Sequence, residues 1–173
     1  DLRSFLASAE RAGELLRVDR ETDPLTEMGV LFGETERPLI FENVRGYPGW
    51  QICGELVTSR AAQAVALQIE RSRVVPELAR RMQSPALPGR NVNTGPVKER
   101  ILTGRDVDLR KLPVIVHSQE DGGPYIGSAM CVTKEPDTSI QHVAMLRMHN
   151  QDRNRTGTAF APRHSWMPYQ EYE

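Results

Sequence analysis

An arginine and two histidines late in the sequence are the residues whose types best fit a chemical role. Arg147 ends the stretch 142–147, which begins with His142, and His164 follows a basic turn at 153–157. A fixed guanidinium binds a carboxylate through two parallel hydrogen bonds, and a neutral imidazole binds a divalent metal ion. The alternatives are a surface arginine whose stem covers apolar neighbours and ordinary histidines, since no tight spacing such as HxxxH is present. The residues alone leave both interpretations open.

Two turns could hold a phosphate. The segment 121–125 (Asp-Gly-Gly-Pro-Tyr) is rich in glycine, which lets backbone approach an anion closely. The segment 153–157 (Arg-Asn-Arg-Thr-Gly) offers several hydrogen-bond donors. Each is equally explained by a tight connection or a solvated hairpin tip, so neither turn by itself indicates a function.

Composition excludes several classes of protein. The 173 residues are 39% hydrophobic and 26% charged, which is enough for a packed core. With 22 Lys and Arg against 23 Asp and Glu, the net charge of −1 gives no reason to expect nucleic acid or a membrane surface as partner. The cysteines Cys53 and Cys131 form no CxxC pair, and no signal-peptide pattern opens the chain. We therefore expect reduced thiols and a cytoplasmic protein.

The pattern of apolar residues predicts a small α/β domain at 1–90. A Pro- and Gly-rich stretch between Ser84 and Asn93 is the expected domain boundary. Caps and periodicity predict helices over 1–12, from Asp23-Pro24, from Thr58 or Ser59 to Glu70, and over 75–83, with strands at 15–18, 38–44 and 51–56.

In the remaining residues, 91–173, apolar and polar residues alternate in the pattern typical of an antiparallel sheet or barrel. Strands are predicted at 97–102, 114–117, 125–133, 141–149 and 156–161, which places Arg147 in the middle of a strand. The sequence from Ser165 onward is typical of the start of a helix that is cut short, so we expect the chain to be a fragment or one subunit of a split protein.

Four blocks of this sequence resemble the N-terminal third of the UbiD family of decarboxylases, which use prenylated FMN. They appear in family order at 1–6 with 13–15 and 23–24, at 39–44 with 46–47, at 95–99 with 106–109 and 111–113, and at 121–126 with 147–148 and 154–157. No block is decisive alone, and their order and spacing make the set specific.

The resemblance implies a split β-barrel flavin domain after the first domain, and it implies roles for particular residues. Arg147 falls on the arginine that orients the substrate carboxylate and contacts the cofactor. His142 and His164 fall on metal-ligand positions, although the family usually has Asn at the position of His142. Ser128, Met145, Leu146, Arg163 and His164 fall beside the prenylated FMN.

The same resemblance implies reversible, non-oxidative decarboxylation of an aromatic, heteroaromatic or α,β-unsaturated acid, with Mn²⁺ or a similar divalent ion and K⁺ near the cofactor phosphate. The third metal ligand and two catalytic glutamates lie beyond position 173, so this piece alone is expected to be inactive. A homo-oligomer or a partner chain is expected to supply the missing half. The alternatives are a non-catalytic assembly subunit and a reductase-like split barrel with ordinary FMN.

Overall fold

The chain folds into two compact units. A computed structural model describes residues 1–85, 89–135 and 137–159. The first unit comprises Asp1–Thr22 and Leu31–Asp106, and the second comprises 23–30 and the residues from Val107 onward. Helices and small sheets are mixed, which confirms the expected α/β class. The domain boundary between Ser84 and Asn93 stays a prediction.

The first unit is a three-stranded sheet with helices. Its elements are α1 (Leu2–Arg11), β1 (Leu16–Val18), β2 (Leu39–Phe41), β3 (Ile52–Gly54), α3 (Arg60–Leu67) and α4 (Val74–Met82), while α2 (Met28–Gly33) contains residues of both units. β2 lies in the centre, parallel to β1 and antiparallel to β3. All three residues of β2 are buried, as expected for the central strand of a covered sheet.

Local signals explain where the helices begin. Asp1 accepts a hydrogen bond from the backbone N–H of Ser4, and the Ser4 side chain completes a capping box at α1. Ser59 caps α3 in the same way through the N–H of Ala62. The core then forms around Phe41, which is fully buried and meets the Phe32 ring edge to face at 5.2 Å.

The described residues of the second unit contain five short strands in two sheets. They are β4 (Tyr125–Ile126), β5 (Met130–Lys134), β6 (Gln141–Met145), β7 (Met148–Asp152) and β8 (Arg155–Gly157). One sheet has the order β4-β7-β8, and β5 pairs with β6 as a separate hairpin. Within 107–135 and 137–159 these sheets do not close into a barrel, which fits the expectation of only the first part of a split barrel.

Several predicted strands are shorter than expected or absent. Residues 97–102 form no strand, since the chain makes a 3-10 turn at Pro96–Lys98 and is irregular after it. Val97 and Ile101 are 87% and 71% exposed. The predicted strand 114–117 is irregular, because its Val116 N–H donates to the Pro24 carbonyl at 3.0 Å instead of joining a ladder. The strands predicted at 125–133 and 141–149 are each interrupted, the first by a turn at 127–128.

The segment 23–30 packs closely against 114–118 in the second unit. Met28 and Ile115 are buried there, and Gly29 lies directly against backbone. A β-carbon at Gly29 would come within 2.6 Å of the carbonyl oxygens of both Val116 and His117, so this contact depends on glycine. Residues 114–118 lead directly into the turn at Ser118–Asp121.

None of the helices in the described part of the chain has the length and apolarity needed to cross a membrane.

Candidate functional site

Arg147 occupies a break between two strands rather than the middle of one. β6 ends at Met145 and β7 begins at Met148, so Leu146 and Arg147 form the connection. The Arg147 side chain is 66% exposed. The prediction of a mid-strand arginine is therefore wrong, and the reason is that the alternating pattern continues through a corner in the chain.

The Arg147 guanidinium lies against an aromatic ring and a carboxylate. Its central carbon is 4.8 Å from the centroid of the Tyr125 ring, within the range of a cation–π contact. Its Nη1 is 3.6 Å from Oδ1 of Asp121. These contacts confine a long side chain that would otherwise sample many rotamers.

The second partner of the Tyr125 ring is the imidazole of His149. The two rings stack with centroids 4.8 Å apart and an interplanar angle of 20°. The pairing of β4 with β7 produces this contact, because it places Tyr125 directly opposite His149. Gly123 makes room for it: its φ is +148°, and a β-carbon there would lie 2.6 Å from Nε2 of His149. The glycine-rich turn thus serves the ring stack.

Asp121 is held in place by its own turn. Its Oδ2 accepts a hydrogen bond from the backbone N–H of Ser118 at 3.2 Å, and its N–H donates to the Ser118 carbonyl at 3.0 Å. The side chain is 16% exposed. One carboxylate oxygen is therefore tied to backbone, and the other faces Arg147.

An open cavity of about 420 Å³ lies beside this cluster. Its wall is formed by β4, the end of β6 with the β6–β7 connection, β7, and the end of β8 with the residues after it. The lining residues are Tyr125, Met145, Leu146, Arg147, His149, Gln151, Gly157, Thr158 and Ala159. Met145 is 77% exposed. The cavity therefore combines an apolar surface with the cation of Arg147, and its volume lies in the range of small-molecule sites.

Three of the predicted cofactor residues, Met145, Leu146 and Arg147, line this one cavity. The turn that contains Ser128 is tied to them, since the N–H of Leu146 donates to the Ala129 carbonyl at 3.2 Å. The described structure therefore brings Met145, Leu146 and Arg147 together, whereas Ser128 lies in the turn at 127–128 and is not among the residues that line this cavity. Arg163 and His164 lie outside the described residues.

His142 belongs to the other face of the β5–β6 hairpin. Pairing places it opposite Thr133, whereas Met145 is opposite Met130. Side chains alternate along a strand, so His142 and Met145 project from opposite faces. The described residues contain no cluster of three or more His, Cys, Asp or Glu side chains that could hold a metal ion.

The basic turn at 153–157 also has a structural role. Nε of Arg153 donates to the Val107 carbonyl at 2.8 Å, and the Arg153 carbonyl accepts from the N–H of Leu109 at 2.7 Å. Nearby, Arg110 hydrogen bonds to Asp108 and lowers the pKa of that carboxyl from 3.8 to about 2. Arg153 anchors the β7–β8 turn to this segment.

Asp121, Tyr125 and His149 were not singled out as site residues from the sequence. Tyr125 ends the glycine-rich turn, and His149 follows Arg147 at the spacing that shares one face of a strand. Recognising the cluster needs the register between β4 and β7, which the sequence leaves undetermined. The spacing of His149 from Arg147 was the available signal.

Comparison with known families matches both parts of the chain. Residues 6–82 match the N-terminal domain of 3-octaprenyl-4-hydroxybenzoate carboxy-lyase (UbiD), and residues 90–173 match the Rift-related domain of the same enzyme family. A phenolic acid decarboxylase of Bacillus subtilis (strain 168) is 29% identical over 95% of this chain, which corresponds to 38% of that protein.

Solved structures give the same result. The UbiD-class enzyme HmfF from Pelotomaculum thermopropionicum, in complex with FMN, has a TM-score of 0.86 and 32% identity over 98% of this chain and 39% of its own. Vanillic acid decarboxylase of Sedimentibacter hydroxybenzoicus, in its closed form, has a TM-score of 0.89 and 26% identity over 99% of this chain and 39% of its own. This chain thus spans about two fifths of the length of these relatives.

Proposed function

We propose that this chain, which belongs to the UbiD family of carboxy-lyases, forms the N-terminal part of a decarboxylase that uses prenylated FMN. The proposed substrate is an aromatic, heteroaromatic or α,β-unsaturated carboxylic acid, and the proposed reaction is reversible loss of CO₂. Support comes from relatives named for phenolic and vanillic acids and from an evolved dimeric HmfF solved with prenylated FMN.

The observation that carries this proposal is the exposed cation of Arg147 at the wall of an open, partly apolar cavity. A planar guanidinium binds a carboxylate through two parallel N–H···O bonds, and these fix the plane of the substrate's carboxylate. Orientation of that kind converts binding energy into rate, because the bond to be broken is held in one geometry. We assign to Arg147 the binding of the substrate carboxylate.

The residues on this wall suit a flavin. A flavin offers a flat ring system with an apolar dimethylbenzene end, and the exposed Met145 side chain beside the β6–β7 connection provides an apolar surface for it. Met145, Leu146 and Ser128 are proposed to hold the ring, while Arg163 and His164 are proposed to lie near the phosphate. When bound, prenylated FMN supplies the electron sink for the charge left by departing CO₂.

The metal site is a separate part of the proposal. His142 and His164 are proposed as ligands of Mn²⁺ or a similar divalent ion, with K⁺ nearby. Among the described residues His142 is the single member of this set, and one imidazole does not make a metal site. We therefore assign no chemical step to the metal.

The catalytic glutamates and the rest of the barrel are proposed to belong to polypeptide other than these 173 residues. The relatives extend well beyond the part that this chain matches, so we propose that further polypeptide supplies the catalytic glutamates and completes the barrel. We call the combination the assembled enzyme. A homo-oligomer is part of the proposal, supported by the dimeric form of HmfF.

One experiment tests this function against its alternatives. The assembled enzyme is produced in cells that make prenylated FMN, its cofactor is released for mass measurement, and CO₂ release is followed with phenolic acids such as vanillic acid. A cofactor heavier than FMN together with CO₂ release supports the proposal. Plain FMN with NAD(P)H oxidation would indicate a reductase, and colourless protein without turnover would indicate an assembly subunit.

A further inference from the structure

The carboxylate of Asp121 is held by the backbone of its own turn. Its Oδ2 is bound to the Ser118 N–H, and the side chain is mostly buried. A carboxylate held by backbone in this way does not follow the movements of its partner. It therefore provides a fixed negative charge at one end of the Arg147 guanidinium.

The distance between the two groups decides what this charge does. At 3.6 Å, Nη1 of Arg147 and Oδ1 of Asp121 attract each other, but they are too far apart for a hydrogen bond. The carboxylate consequently biases the direction of the guanidinium without using up the N–H donors. The centroid of the Tyr125 ring lies 4.8 Å from the central carbon of the guanidinium, so the ring limits the movement of the guanidinium on that side.

We infer that Asp121 is a positioning residue for Arg147, which it holds against the Tyr125 ring so that the N–H donors face a carboxylate ligand. This inference rests on the proposed function, because it takes Arg147 as the group that binds the substrate carboxylate. It adds a role for the glycine-rich turn: the turn fixes Asp121, and the β4–β7 register brings Tyr125 to the same place.

The alternative is that Asp121 only stabilises its own turn. Asp121→Asn separates the two roles, since an amide oxygen still accepts from the Ser118 N–H while the negative charge is lost. Glu120→Gln is the matched control: it removes the same charge from the neighbouring, exposed residue.

The main readout is binding of a carboxylate by the assembled enzyme. For Asp121→Asn we expect the Kd of benzoate and the KM of the substrate to rise by about fivefold, the scale of a partly exposed ion pair, with a smaller change in kcat. Added salt should reduce the difference in benzoate Kd between Asp121→Asn and the parent enzyme. Glu120→Gln should bind benzoate as the parent does.

A second readout needs neither turnover nor cofactor. Phenylglyoxal modifies accessible guanidinium groups, and peptide mapping of the isolated chain reports the rate at Arg147. In Asp121→Asn the guanidinium of Arg147 loses its ion pair, so the rate of phenylglyoxal modification at Arg147 should rise on the order of twofold. The rate should stay unchanged in Glu120→Gln.

The outcomes separate this inference from the proposed function. If Arg147→Ala abolishes benzoate binding while Asp121→Asn binds as the parent does and labels at the parent rate, the positioning role is wrong and the proposed function stands. If Arg147→Ala itself leaves benzoate binding unchanged, both are wrong. Weakened binding and faster labelling in Asp121→Asn, with Glu120→Gln unchanged in both measurements, support the inference.

Discussion

Replacing Gly29 by alanine tests how the second unit holds the segment that leads to the candidate site. A β-carbon at this position would lie 2.6 Å from two backbone carbonyl oxygens, those of Val116 and His117. Backbone cannot rotate away as a flexible side chain can, so the segment 23–30 must move. Overpacking of this kind costs ~1–3 kcal/mol, and the better helix propensity of alanine returns at most ~1 kcal/mol.

The expected net loss for Gly29→Ala is about 1–2 kcal/mol, equivalent to a fall in Tm on the order of 5 °C for a chain of this size. Gly33→Ala is the matched control in the same helix, because a β-carbon there meets no atom within 4 Å. It should be neutral or slightly stabilising.

Thermal unfolding followed by circular dichroism measures both variants. Hydrogen exchange of the Val116 amide adds a local measurement, since this N–H donates to Pro24. In Gly29→Ala the Val116 amide should exchange faster than in the parent protein. Equal stability of the two variants, with Val116 protected in both, would refute the packing described for this segment.

Two further predictions concern the first unit. Phe41→Ala should lower the free energy of unfolding by ~3–5 kcal/mol, because it empties a fully buried site against Phe32; a loss below ~1 kcal/mol in urea denaturation would contradict that core. In α4, hydrogen bonds from Arg80 and Arg81 lower the pKa of Glu77 from 4.5 to about 2. The contribution of these hydrogen bonds to the free energy of unfolding is present above pH 4.5 and is lost as the pH falls toward 2. The free energy of unfolding of Glu77→Gln should therefore fall less between pH 4.5 and 2 than that of the parent protein. An equal fall in both proteins would argue against the pairing of Glu77 with Arg80 and Arg81.

Local signals were sufficient to predict most of the first unit. The capping residues Asp1 and Ser59 lie within a few positions of the groups they cap, so α1 and α3 are specified by short stretches of sequence. The apolar run at 39–41 likewise indicates a central buried strand. These features depend on neighbours in the chain and hardly on its tertiary structure.

The candidate site depended on contacts between distant residues. The alternating pattern of 141–149 predicts one strand, whereas the chain turns at Leu146 and Arg147 because β6 pairs with β5 and β7 pairs with β4. The same pairing brings His149 onto Tyr125. Strand register is set by packing across the sheet. A periodic pattern therefore indicates which side chains share a face of a strand, but not which strand pairs with it.

Turnover by the Arg147→Lys variant of the assembled enzyme tests the central claim most directly. Lysine keeps the charge and loses the planar pair of donors, so kcat/KM should fall on the order of 100-fold while prenylated FMN still binds. Arg155→Lys, at an exposed position of β8, is the matched control and should be as active as the parent. Parental turnover by the Arg147→Lys variant, with cofactor bound, would contradict the assignment of Arg147 to the substrate carboxylate.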